Sequence, residues 1–230
     1  MPKFDLAQTQ VLADLFAEPR ESRDDTWREQ FYAAVPDATL MTFEPQVSEG
    51  PDEFPYFQLA IPDPGPVTPF CVTRLLDVAL DNGLGIAIFG DSSRSEGPEW
   101  VFTYGDLLSC SMFGCFDGDP VYQLSPGGSK QNQVLVAAPS EEYLPARARR
   151  AMGKFVRSMY HHPDPRITLV DDPQATPSRN LMINLTLDDY DSDEEKLNSA
   201  VRFLCWFLPR TYRIGAMPAG WSVSNFVPLG

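Results

Sequence analysis

Residues 83–115, GLGIAIFGDSSRSEGPEWVFTYGDLLSCSMFGC, set two apolar runs on either side of a polar turn. Leu84, Ile86, Ile88 and Phe89 form an apolar run of strand length directly after a glycine. Trp100, Val101, Phe102 and Tyr104 form a second. The segment between them, Gly90 to Pro98, is a polar turn, and Gly105-Asp106 leads into a short helix carrying Leu107, Leu108, Met112 and Phe113. A strand, a turn, a second strand and a helix argue for a hairpin inside an α+β sheet.

Before this stretch, Thr68-Pro69 and Asn82-Gly83 bracket an amphipathic helix whose expected buried stripe is Val72, Leu75, Leu76, Val78, Ala79 and Leu80. Earlier helices are expected over residues 7–17 and 25–35, and strands over 38–43 and 55–61, with residues 44–54 as a surface loop. Further strands are expected over 121–124 and 133–138. Ala138-Pro139-Ser140 marks a boundary, after which Ser140 caps a long helix that is basic along its middle: Arg147, Arg149, Arg150, Lys154 and Arg157. Strands over 166–170 and 181–187 follow. Ser192-Asp193-Glu194-Glu195 then caps a helix carrying Leu197, Val201 and Leu204, and a last strand spans 211–217. The expected fold is α+β in two small domains, 1–138 and 139–230, each a mainly antiparallel sheet packed with helices.

The chain has 230 residues, and Asp+Glu 32 against Lys+Arg 18 gives a formal net charge of −14. That field repels phosphate backbones and anionic lipid heads, so neither nucleic acid nor membrane is expected as a partner. The N-terminal residues lack a basic region followed by a long apolar run, and cytoplasmic residence is the expectation. Four cysteines without a CxxC pair do not make a disulfide framework. Cys110 and Cys115, five apart near a short helix, carry a weak redox or metal signal set against ordinary helix packing.

Chemistry is sparse. Ile88-Phe89-Gly90-Asp91-Ser92-Ser93 resembles the nucleophile block of GDSL-type esterases, and a hydrolase using the Gly90–Glu96 turn is the alternative reading of function. That family's Asp-x-x-His and Gly-x-Asn-Asp blocks are absent, and the only histidines, His161 and His162, stand side by side in a turn. Adjacent histidines rarely serve one ion, and the acidic run Asp188–Glu195 lacks the glycine and terminal Glu of a calcium loop. No catalytic residue, metal or cofactor is expected.

Two features point instead to protein binding. The aromatics Trp100, Phe102, Tyr104, Phe113 and Phe116 are dense enough to leave some on a sheet face, and Arg149 and Arg150 lie on a basic helix in an acidic chain. The bland reading of that helix is a solvated face pairing with acids such as Asp188 to Glu195. The sharper one is a docking strip for an acidic partner. The partner expected is another protein, unidentified, with a homodimer as a variant.

Three segments together resemble the SseB-like family (enhanced serine sensitivity protein B, also grouped with type III secretion). They are Trp27 to Val35, Trp100 to Leu108, and the C-terminal run from Tyr143-Leu144-Pro145 through Ile167–Val170 and Leu181–Leu187 to the Ser192–Phe207 helix. The Pro-rich insert Asp52 to Pro69 departs from that pattern. The resemblance implies two α+β domains, no established catalytic residues, and an interaction-based role of chaperone-like or regulatory type in bacteria.

Overall fold

The computed structural model describes residues 4–63, 68–93, 97–117 and 134–230, so the strand expected over 121–124 lies outside the described residues. The chain is α+β and divides into two compact units, Met1–Leu107 and Leu108–Gly230.

In the first unit, α1 (Leu6–Phe16) and α2 (Asp25–Ala34) precede β1 (Met41–Glu49) and β2 (Pro55–Ala60). Then come α3 (Val72–Asn82), β3 (Gly85–Phe89), β4 (Trp100–Phe102) and the start of α4 (Tyr104–Phe113). The sheet order is β1-β2-β3-β4. The outer pairings are antiparallel, but β2 and β3 run parallel, joined by α3. The sheet is therefore mixed. Every residue of β3 is buried, as a strand with a parallel neighbour and cover on both faces should be.

Helix starts are local and legible. Asp5 caps α1 by accepting from Ala7 N, and Asp24 caps α2 by accepting from Trp27 N. Thr103 and Asp106 form a reciprocal pair on α4: Thr103 N donates to Asp106 at 2.9 Å and Asp106 N donates to the Thr103 hydroxyl at 3.1 Å. Gly83 ends α3 at φ 71°, a left-handed conformation that glycine adopts without a Cβ clash. That helix starts at Val72 rather than Thr68, because Phe70 is engaged with Leu40 through two backbone hydrogen bonds of 2.8 Å. The expected loop over 44–54 is largely strand. A register shift between Thr42 and Val47 lets β1 continue and pair Val47, Ser48 and Glu49 with β2.

In the second unit, β5 (Leu135–Ala137) leads to α5 (Ala146–Met159), β6 (Arg166–Asp171) and β7 (Arg179–Ile183). These are followed by α6 (Glu194–Leu204), β8 (Ile214–Ala216) and β9 (Val227–Pro228). β6 pairs antiparallel with β5, β7 and β9, while β7 and β8 run parallel, joined by α6. Because β5 pairs with β6, residues 135–137 belong to the second sheet, and the break falls inside α4 rather than after residue 138. Asp193, not Ser192, caps α6, accepting from Lys196 N at 3.1 Å, while Ser192 adopts φ 61° in the turn before it.

Candidate functional site

The expected aromatic surface is mostly core. Trp100 and Phe102 register against Ile88 and Ile86, so all four project from one face of the first sheet. That face is filled by α2: the Phe31 ring centroid lies 4.8 Å from Trp100 and 5.8 Å from Phe102. Trp27 stacks on Phe31 and its indole N–H donates to Leu15 O, tying α1 to α2. Phe102, Tyr104 and Phe116 are buried, which removes them as contact residues; Trp100 and Phe113 are half-buried. The aromatics are dense here because they cement α2 to the sheet.

Beside this cluster, Arg23 is almost fully used. It pairs with Glu99 at 2.7 Å with both side chains 10% exposed, lies 4.9 Å over the Trp27 ring, and donates to the carbonyls of Phe16 and Glu18. Glu99 also accepts from Arg20. The Gly90–Glu96 turn is described as far as Ser93, and Arg94–Glu96 lie outside the described residues. Asp91, Ser92 and Ser93 are exposed, and the Asp91 carboxylate accepts both the N–H and the hydroxyl of Ser93, at 2.8 and 2.6 Å. This is the Asx turn that Asp and Ser commonly make in a strand connection.

Arg149, half-buried, and Arg150, exposed, lie on α5. Its first turn contains Arg147 and Arg149 and no acid, against the preference of a helix N-terminus for negative charge. Glu141, outside the helix, supplies the missing charge: it accepts from Ala146 N at 2.7 Å and pairs with Arg149. The segment holding Glu141 is fastened locally: Ser140 O accepts from the backbone N–H groups of Tyr143 and Leu144, both buried. Tyr143 also stacks on Tyr212 at 4.4 Å. Ser140 thus caps a turn before the helix, and Pro145 is the residue at the helix boundary.

β5 and β9 lie on the same side of β6. β5 pairs with residues 169–171 and β9 with 166–167, so together they make one edge with a seam between Ala137 and Val227. A groove of about 400 Å³ opens there, lined by Ala138, Ala146, Arg149, Arg150, Val227, Pro228 and Gly230. The tail that forms one wall is clamped to α5. Leu229 is fully buried, and a Cβ on Gly153 would stand 1.8 Å from the Leu229 carbonyl oxygen, so only glycine admits this approach. A second groove of about 390 Å³ is lined by Met112, Phe113, Glu141 and Glu142.

Ala148, Met152, Gly153 and Val156 form the buried stripe of α5. Arg150, Lys154 and Arg157, spaced four and three apart, form an exposed one. Among the described residues none of these three has an Asp or Glu side chain within ion-pairing distance. Arg157 donates only to the Gly230 carbonyl, at 3.2 Å. The expected pairing with Asp188 to Glu195 does not form. Those acids serve their own turn, Asp189 closing on Thr186 and Asp193 on Lys196. The tail clamp leaves one trace in the sequence, because an interior glycine in a strong helix is a signal of close packing.

Among the described residues no group of three or more His, Cys, Asp or Glu side chains is placed to hold a metal ion, and no helix is long and apolar enough to cross a membrane. No protein-family model, curated protein or solved structure matches this chain.

Proposed function

We propose that this chain is a non-catalytic protein-binding module, of the regulatory or chaperone-like kind that its resemblance to the SseB-like family implies, and that α5 is its contact element. The observation that carries the reading is the stripe Arg150, Lys154 and Arg157, exposed and without Asp or Glu partners among the described residues in a chain of net charge −14. Exposed cations are ordinarily solvated, but three on one helix face stand out in an acidic chain. Left open, they make a local positive field that attracts an acidic segment of another protein. The seam groove beside Arg149 and Arg150 offers a recess for that segment's apolar side chains. A cytoplasmic setting belongs to the same proposal.

Fluorescence anisotropy with a labelled peptide alternating glutamate and leucine tests it. The unaltered chain should bind, more weakly as salt rises, and Arg150→Glu with Lys154→Glu should weaken binding by roughly tenfold or more. Equal affinity for the double variant would remove α5 from the contact.

A further inference from the structure

We propose that Cys110 and Cys115 are a dithiol modification site, converted reversibly to an intramolecular disulfide by a low-molecular-weight disulfide of the glutathione type. The placement follows from how α4 ends. Gly114 turns left-handed at φ 73°, and its N–H donates to the Cys110 carbonyl at 2.9 Å. In a helix end of this kind, the residue after the glycine folds back toward the residue whose carbonyl the glycine has captured. Here those two residues are Cys115 and Cys110. The Ser109 hydroxyl donates to the Cys115 carbonyl at 2.7 Å, which pins the returning chain against the last turn of the helix.

The two thiols sense each other. Burial first, and the charge of Cys115 second, push the Cys110 thiol up to about 11. Their exposures differ as a two-step exchange requires: Cys115 is exposed and Cys110 half-buried. Cys115, as thiolate, attacks one sulfur of the external disulfide and releases one reduced thiol. Cys110 then loses its proton, attacks the Cys115 sulfur of the mixed disulfide, and expels the second reduced thiol. The protein is oxidised by two electrons and the external disulfide is reduced by the same two. Cys110, a poor leaving group because its thiolate is disfavoured, makes the finished bridge slow to reduce. The ring it closes contains Met112 and Phe113, which line the second groove with Glu141 and Glu142. Oxidation therefore fixes one wall of that groove. This site is independent of the cation stripe on α5.

The test is to incubate the full chain with oxidised glutathione at mildly alkaline pH, then count thiols after unfolding and map the peptides. The expected product is monomeric, lighter by two hydrogens, with Cys110 linked to Cys115, and is restored by dithiothreitol. Cys110→Ser should stop at a glutathione adduct on Cys115, with Cys110→Ala as a second variant should the first misfold. Cys115→Ser should give no Cys110 adduct. A stable adduct on Cys115 of the unaltered chain with no bridge, or bridges only between molecules, would overturn the proposal.

Discussion

The two units share one order of elements and use their cations in opposite ways. In each, a helix leads into an antiparallel hairpin, a second helix crosses over, and the next strand joins parallel to the hairpin's second strand: α2-β1-β2-α3-β3 and α5-β6-β7-α6-β8. In the first unit the leading helix is cemented to its sheet by rings, and Arg23 beside it is surrounded by a carboxylate, two carbonyls and an indole face. In the second unit the leading helix is fastened by a backbone approach at Gly153, and its outward cations are left to solvent. One topology thus uses arginine in one unit as a structural part and presents it in the other as a surface. Only the local partners tell the two uses apart.

That contrast can be broken most forcefully at Glu99. Glu99→Gln leaves the Arg23 guanidinium without its charge partner in a nearly buried site, and should cost about 3 kcal/mol of stability in urea unfolding followed by tryptophan fluorescence. A loss under about 1 kcal/mol would mean the pair behaves like a surface ion pair. Gly153→Ala comes next. The added methyl would displace the Leu229 backbone, and about 2 kcal/mol should be lost even after the helix gains from alanine. Hydrogen exchange should show lost protection at Leu229, whose N–H donates to Pro165 O.

Arg150→Glu with Lys154→Glu should change stability by no more than about 0.5 kcal/mol, because neither side chain has an ion-pair partner to lose among the described residues. A cost like that of Glu99→Gln would collapse the distinction between the two units. The smallest effect concerns pH. The hydrogen bond from Lys196 N holds the Asp193 carboxyl below its ordinary value. A depressed folded-state pKa gives stability that is present above the ordinary carboxylate range and is lost as pH falls through the lowered value. Asp193→Asn should therefore flatten a little of the acid-side decline in melting temperature, and an unchanged slope would contradict the assignment.

The sequence made the α+β class legible because β3, α3 and α6 carry apolar spacing with a stop or start at the right place. The parallel pairing in each sheet was not legible. Hairpin-like neighbours in sequence suggested antiparallel contacts, and only the α3 and α6 crossovers bring β3 and β8 alongside parallel partners. Arg149 and Arg150 were visible as a charge anomaly, but their separate states were not. Whether a cation is paired depends on Glu141, eight residues before Arg149 and outside the helix. Phe102 is lost as a contact candidate for a similar reason: with Trp100 it meets Phe31 of α2, far earlier in the chain, and no local pattern announces that contact.

The most direct measurement is a titration of the isotope-labelled chain with the same glutamate-leucine peptide, read by amide chemical shifts. Shifts should concentrate on residues 146–159 and 227–230 and fade with added salt. Shifts centred on the Trp100–Phe102 face, or none at peptide concentrations that saturate the anisotropy signal, would contradict a contact through α5.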